Sequence, residues 1–188
     1  DSTLQLTLDK QGALTEALAL PGQARLFGAP LTWREARWQA ATAQRGARLA
    51  LDAQLEPWAV APGLARWWPE AGLGGDLLVK GRALIRIDER VAADIVLERA
   101  AGDLTVSVDG QTQALGLSDL RLGLAANEGT WHFTQALAGV NLGELAGAQS
   151  LRLHLRATWP TPETPMQGVL EWRVADLGVW APFTPPGW

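Results

Sequence analysis

The sequence predicts an all-β protein. Three observations support this class: apolar and polar residues alternate with period two along most of the chain, turn residues separate the alternating runs, and the apolar spacing of a helix is almost absent. The connections are too short to hold the helical crossovers that parallel strands need, so mostly antiparallel pairing is expected. With 188 residues, of which 47% are apolar and 19% charged, the chain is long enough to bury a substantial core.

The predicted strands are defined by their apolar sets. In the stretch GDLLVKGRALIRID, Gly75 to Asp88, every second residue is apolar or small, while Lys80, Arg82 and Arg86 occupy the other side. The sets are, in order, Leu4, Leu6 and Leu8; Leu49, Leu51, Ala53 and Leu55; Leu77, Val79, Gly81, Ala83, Ile85 and Ile87; Val91, Ala93, Ile95 and Leu97; Leu104, Val106 and Val108; Leu120, Leu122 and Leu124; Trp131, Phe133 and Leu137; Leu151, Leu153, Leu155, Ala157 and Trp159; and Leu170, Trp172 and Val174.

Turn signals lie between these runs, as an antiparallel meander requires: Asp9 to Gly12, Pro21-Gly22, Asp109-Gly110 and Asn127 to Gly129. The segment EPWAVAPGLARWWPE, near residues 56–70, interrupts the alternation and predicts a loop with one short helical turn. The stretch Leu177 to Trp188 has a similar character, and both are expected to cap an end of the sheet. Residues 1–188 are therefore interpreted as a single repetitive β unit.

Charge and composition exclude several classes of partner and site. The formal net charge is -4, and Lys and Arg are scattered singly, so no basic stripe is available to neutralise nucleic-acid phosphates. The chain has no cysteine, which excludes disulfides and thiolate metal sites. No run approaches the length of a membrane span.

No catalytic or cofactor motif is present. His132 and His154 lie on the polar side of predicted strands without a companion ligand at metal-binding spacing, and no serine lies in a nucleophile elbow. Gly72 to Gly75 opens a strand, whereas a phosphate loop precedes a helix. The chain is predicted not to be an enzyme and to hold no cofactor or metal, although a glycosidase carboxylate pair on a β scaffold would leave no sequence motif.

The apolar face that begins at Leu77 has three possible partners: a second sheet, which makes a closed β-sandwich; the far wall of its own bent sheet; or a lipid. The alternation by itself favours the sandwich. A packed core, however, requires large side chains at nearly every inward position, and several of these positions are small: Ala53, Gly81, Ala83, Ala93 and Ala157. An open, smooth-walled trough fits these residues at least as well.

Four segments resemble the C-terminal half of the TamB family, the translocation and assembly module subunits of the AsmA-like group. They are LEPWAVAPGLARWWP, GDLLVKGRALIRID, ALGLSDLRLGLAANEGTWHFTQALAGVNLGELAGAQ and MQGVLEWRVADLGVWAPFTPPGW. The resemblance covers essentially the whole chain and is strongest from about Leu55 onward. It rests on sequence similarity along these segments and on no catalytic signature.

The resemblance implies a long, curved sheet bent into a U-shaped open apolar groove, a β-taco. It implies a place in the periplasm of a Gram-negative bacterium, within a protein anchored in the inner membrane. The expected partners are phospholipid acyl chains and, through regions outside this chain, a TamA-like outer-membrane barrel. Because the chain carries neither the anchor nor the C-terminus that meets the barrel, it is expected to be a middle segment of a longer protein.

The resulting hypothesis is a conduit that carries phospholipids between the two membranes. An alternative is a chaperone-like helper in outer-membrane protein or autotransporter assembly, which would act by strand augmentation. The residues predicted to line the groove are Leu49, Leu51, Leu77, Val79, Ile85, Ile87, Ile95, Leu97, Val106, Leu122, Leu124, Phe133, Leu153 and Leu155.

Overall fold

The computed structural model describes residues 3–26, 28–108, 110–153, 160–161 and 163–175. The strands are β1 Leu4–Leu8, β2 Leu14–Ala19, β3 Gly22–Leu26, β4 Ala29–Gln39, β5 Arg48–Ala59, β6 Leu73–Gly75, β7 Leu78–Ile87, β8 Val91–Ala101, β9 Leu104–Val108, β10 Gln111–Ala114, β11 Leu117–Asn127, β12 Thr130–Gly139, β13 Gly143–Arg152 and β14 Met166–Val174. A helix, α1, spans Ala61–Trp67, and a 3-10 turn spans Pro69–Ala71.

The predicted all-β class is confirmed. Within the described ranges, one large, curved antiparallel sheet, which is not closed, contains eleven strands. Ten follow the order β1-β2-β4-β5-β7-β8-β11-β12-β13-β14, and β3 pairs with the first half of β4, which β2 leaves unpaired. A small sheet, β10-β9-β6, makes a second layer over part of the first. The main path of the large sheet follows the chain order, with β3 beside it and with β6, β9 and β10 in the small sheet, as short antiparallel connections require.

The small sheet is a folded-over continuation of three neighbouring strands of the large sheet. β6 runs into β7, β8 into β9 and β10 into β11, and the order across both sheets is the same. Each crossing passes a glycine with positive φ: Gly75 at 105°, Gly102 at 75° and Gly116 at 66°. Only glycine adopts such backbone angles without steric cost, so these residues allow the three strands to turn the corner together.

Two aspartates fasten this corner. Asp103 accepts backbone N–H bonds from Gly116 at 2.8 Å and from Leu117 at 2.9 Å, and its own backbone N–H donates to Asp76 Oδ1 at 2.8 Å. The backbone N–H of Asp76 donates in return to the carbonyl oxygen of Asp103 at 3.0 Å. The corner therefore joins β6, β9 and β11 through hydrogen bonds as well as through the chain itself.

The core is divided into two clusters. The corner cluster lies between the two sheets and contains the buried residues Leu77, Val79, Val106, Leu115, Leu117, Leu120 and Leu142. The second cluster lies toward the other ends of the strands and contains Val91, Ala93, Ala126, Trp131 and Leu151. Trp131 is the largest fully buried side chain of the described part.

Several details of the sequence interpretation change. The segment near residues 56–70 does hold a short helix, but β5 continues to Ala59 before it. β13, which contains Leu151, begins earlier than predicted, at Gly143, because glycine and glutamine occupy some of its inward positions and hide the alternation. Leu155, Ala157 and Trp159 of the same predicted set lie outside the described residues. Strands β2, β3 and β4 carry no apolar set in that interpretation. The predicted cap at Leu177 to Trp188 lies outside the described residues.

Candidate functional site

The face that carries the predicted lining residues is continuous across the large sheet. In antiparallel pairing, residues directly opposite each other point to the same side of the sheet. Following the pairs from strand to strand gives one row that crosses all ten strands of the main path, called here the transverse row. It consists of Leu4, Ala19, Ala36, Leu51, Ile85, Ala93, Ala126, Trp131, Leu151 and Met166.

Every member of the transverse row is apolar. The side of the sheet that bears it is called the apolar face, and the opposite side, which bears Lys80, Arg82 and Arg86, is called the outer face. Parallel rows on the apolar face are less uniform: the row through Ile95 and Phe133 ends in Gln149 and Gly168. The transverse row is therefore the longest unbroken apolar track on the sheet.

Solvent exposure varies along the transverse row. Its two ends are open, with Leu4 60% and Met166 57% exposed, and their neighbours Leu6, Leu8, Leu170 and Trp172 are also exposed. The members on β8, β11, β12 and β13 are buried within the second cluster. The members between these two regions are half-buried. Apolar surface of this face is thus exposed to solvent at both edges of the sheet, on β1 and on β14.

The fourteen predicted lining residues fall into four groups. Nine are half-buried on or beside the apolar face: Leu49, Leu51, Ile85, Ile87, Ile95, Leu97, Leu124, Phe133 and Leu153. Leu122 lies on the same face and is 41% exposed. Leu77, Val79 and Val106 are buried in the corner cluster. Leu155 lies outside the described residues.

Val106 shows why the third group differs from the others. It belongs to the small sheet, where it pairs with Leu73 and Gln113, and its side chain is 0% exposed. Leu77 precedes β7 at the corner, and Val79 lies where the pairing of β7 with β8 shifts register. The folded-over layer covers these positions, so a sandwich arrangement exists locally at the corner.

Sequence reasoning missed the contribution of β4 to the apolar face. Leu31 and Trp33 face the same side as Ala36 and Trp38, although the two pairs are out of phase in the sequence. A β-bulge at Arg34, where the register shifts between Trp33 and Glu35, inserts one residue and restores the common face. The sequence does carry a signal for this bulge: the alternating pair Leu31 and Trp33 is followed by a second alternating pair, Ala36 and Trp38, that is offset by one residue.

Ion pairs lie along the outer face. Four of them join neighbouring strands: Arg37–Glu16 at 3.4 Å, Lys80–Glu98 at 3.3 Å, Arg82–Asp94 at 3.0 Å and Arg173–Glu144 at 3.2 Å. Arg86–Glu35, at 3.1 Å, joins β7 to β4 across the intervening β5. Each pair is well exposed and contributes little to stability. Together they keep this side of the sheet charged and hydrated, in contrast to the apolar face.

The described residues offer few other features of functional sites. His132 is exposed on the outer face, and His154 lies outside the described residues. Among the described residues, no cluster of three or more His, Asp or Glu is arranged to hold a metal ion. The hydroxyl of Thr161 and the backbone N–H of Glu163 hydrogen-bond the Glu163 carboxylate and hold its pKa below the usual value, on a fully exposed turn.

The helical part of the described structure is short, and none of its helices has the length and apolar character to span a membrane. Comparison of the chain with protein families, curated proteins and solved structures gave no match. Function therefore has to be inferred from the residues themselves, and the transverse row with its exposed ends is the feature on which that inference rests.

Proposed function

We propose that this chain is a segment of a periplasmic bridge whose apolar face conducts phospholipids between the inner and outer membranes of a Gram-negative bacterium. The acyl chains lie along the apolar face, and the headgroups stay in the solvent at the open side of the curved sheet. The observation that supports this proposal most strongly is the transverse row, which is apolar at all ten positions. The resemblance of four segments to the TamB family points to the same function.

The direction of the row suits transport across the strands. Adjacent strands are about 4.8 Å apart, so nine steps between ten strands give a track of about 43 Å. Because the ends at Leu4 and Met166 are exposed, further strands of a longer protein would extend the same track. The track thus leads from one edge of the sheet to the other, along the axis that a bridge requires. Its members on β8, β11, β12 and β13 are buried in the second cluster, so the half-buried Ile95, Leu124 and Phe133 beside them are proposed to contact the acyl chains there.

The corner forms one wall of the proposed groove. The folded-over layer closes the apolar face at one end of β7, β8 and β11, and its packed interior holds Val79 and Val106. The lining is therefore proposed to consist of residues outside that layer, with Ile85, Ile95 and Leu122 as central members. This wall keeps acyl chains from leaving the track along the strands.

The energetics favour such a track. Each methylene exposed to water costs roughly 0.8 kcal/mol, so an acyl chain of about sixteen carbons is disfavoured in water by about 12 kcal/mol. Branched aliphatic side chains offset this cost without directional contacts. A lipid can therefore move from one position to the next without breaking a specific bond, which a binding pocket for one headgroup would not permit.

Leu122 and Leu84 provide a matched test. Their side chains are 41% and 43% exposed. Leu122, on β11, lies on the apolar face, and Leu84, on β7, lies on the outer face of the same sheet. A photo-crosslinking amino acid is introduced at each position of the protein expressed in a Gram-negative cell, and the adducts are identified by mass spectrometry. Phospholipid adducts are expected at Leu122 and at Ile95, and not at Leu84. The buried Val106 serves as an internal control.

Equal lipid labelling at Leu122 and Leu84 would refute the conduit, because it would indicate non-selective contact with detergent or membrane. Capture of protein alone at Leu122 and Ile95 would also count against it. Native mass spectrometry of the purified chain gives a second readout, in which bound phospholipid is expected.

Strand augmentation is the second candidate, and the sheet edges favour it. Within the described part of the chain, β1 and β14 each pair on one side only. An unpaired edge presents backbone N–H and C=O groups that can add a strand of an unfolded outer-membrane protein. Of two successive residues in an edge strand, one directs its backbone N–H toward the unpaired edge and the other toward the neighbouring strand. Proline removes that N–H, so Val169→Pro and Leu170→Pro together test whether the unpaired edge of β14 is used. If neither variant slows outer-membrane protein assembly, β14 does not act in this way.

A further inference from the structure

A cleft of about 280 Å³ opens on the outer face, away from the proposed lipid track. It forms where β5 bulges, since the pairing of β5 with β7 shifts between Leu55 and Trp58 and carries the segment Glu56-Pro57 out of register. Pro57 has no backbone N–H to donate to β7, so the two strands cannot form a regular hydrogen-bonded pair there and the cleft stays open. Val96 contributes apolar surface to the lining.

The lining of the cleft carries more positive than negative charge, although the whole chain has a net charge of -4. Lys80, Arg82 and Arg121 face it, against the carboxylates of Glu56 and Glu98. Lys80 and Glu98 neutralise each other at 3.3 Å, and Arg82 pairs with Asp94, outside the cleft lining, at 3.0 Å. Among the described residues, Arg121 and Glu56 are therefore the charged groups of the lining that no ion pair neutralises.

Arg121 lies directly opposite Glu98 in the register of β11 and β8, and Glu98 lies opposite Lys80. Glu98 is committed to Lys80, and Arg121 makes no ion pair or side-chain hydrogen bond within the ranges that the structure describes. A guanidinium presents a planar fork of N–H donors that matches the two oxygens of a carboxylate or phosphate. The fork of Arg121 is thus available at the rim of a preformed cleft.

We propose that this cleft binds a small ligand through an oxyanion group, a carboxylate or a phosphate, with the guanidinium of Arg121 as the principal contact. The body of the ligand rests on Val96 and Pro57. Because the cleft and the transverse row lie on opposite faces of the sheet, this site does not depend on the proposed lipid function, and the failure of one leaves the other intact.

The test uses the purified chain at low ionic strength, titrated with inorganic phosphate or with acetate, with chloride as the reference anion. Saturable binding is measured by calorimetry. Arg121→Gln is expected to weaken binding by about tenfold or more, because a charge-assisted hydrogen-bonded pair is lost. Arg152→Gln, which removes an exposed arginine from the outer face of β13, is the matched control and is expected to bind as the unmodified chain does.

Val96→Phe provides a second test without a change of charge. The larger ring fills the cleft and is expected to abolish binding, whereas Val169→Phe on the outer face of β14 leaves binding unchanged. Binding of phosphate alone identifies phosphate compounds as the ligand class, and binding of acetate alone identifies carboxylates. The proposal is overturned if neither anion binds saturably, or if Arg121→Gln and Arg152→Gln bind equally well.

Discussion

The carboxylate of Asp103 accepts a hydrogen bond of 2.9 Å from the backbone N–H of Leu117, and this bond ties the start of β11 to the residue that precedes β9. The same carboxylate also accepts the N–H groups of Gly116 and Leu104. Three backbone donors at the corner thus depend on one side chain. The corner in turn holds the folded-over layer against the large sheet.

Asp103→Ala is expected to lower the free energy of unfolding by about 2 to 4 kcal/mol, because it leaves these donors without a protein acceptor in a half-buried setting. Urea denaturation monitored by tryptophan fluorescence measures the change. Asp119→Ala, at an exposed position of β11, removes a carboxylate with no hydrogen bond in the described part and is the control. Equal stability of the two variants would show that the corner does not depend on Asp103.

Gly102→Ala is expected to destabilise the protein much more than Gly12→Ala. Both glycines have similar positive φ angles, 75° and 82°, so both variants carry the left-handed strain of about 1 kcal/mol. A Cβ at Gly102 also overlaps the carbonyl oxygen of Asp76 across the corner, whereas a Cβ at Gly12 meets nothing within 4 Å. The difference between the two variants in thermal or urea denaturation therefore measures the close packing of the corner alone. Equal losses would contradict that packing.

Ile95→Asp and Val106→Asp separate an open apolar face from a closed core. Val106 is fully buried between the two sheets, so an aspartate there is expected to cost more than about 4 kcal/mol and to remove the cooperative melting transition. Ile95 is half-buried, and under the proposed function its aspartate is hydrated and costs about 1 to 2 kcal/mol of lost apolar contact.

Thermal melting of both variants gives the stability comparison, and lipid capture by the Ile95→Asp variant is expected to fall because an ion lies in the track. If Ile95→Asp melts as badly as Val106→Asp, the apolar face at Ile95 is enclosed by protein and the open track is refuted.

Leu6→Lys is expected to reduce association of the isolated chain. Among the strands that the structure describes, β1 is an edge strand, and it has no charged residue. Its leucines are exposed on the apolar face, which is the pattern that promotes edge-to-edge pairing. Sedimentation velocity over a range of concentrations measures the effect. Val140→Lys, which introduces the same charge at an exposed position in the turn between β12 and β13, is expected to have little influence. Equal effects of both lysines would indicate general charge repulsion.

The alternation of residues was sufficient to predict the strand class and the facing of most side chains. Ile85 and Ile95 fall on one side of the sheet, and Lys80 and Arg82 fall on the other, because successive residues of a strand point to opposite faces whatever surrounds them. The turn at Asn127 to Gly129 was equally predictable from its residue types. These are local properties, and they depend only on neighbouring residues.

Alternation did not predict what covers each part of the apolar face. Val106 and Ile95 occupy equivalent positions in their alternating runs, yet one is enclosed and the other is half-buried. Alternation also failed at β4. Trp33 and Trp38 are an odd number of residues apart, yet both lie on the apolar face because the bulge at Arg34 inserts one residue between them. Strand registers, bulges and the folding of β9 over the large sheet depend on contacts between residues distant in the sequence.

The sequence by itself determined that most of this chain forms antiparallel strands with one apolar and one charged side, because period-two patterning and short turns favour strands over helices there. The tertiary structure alone decided that three central strands bend at glycines, that Leu77, Val79 and Val106 are buried at the corner, and that one apolar residue from each of ten strands joins the transverse row. Register decides these features, since the pairing of distant strands sets which side chains become neighbours.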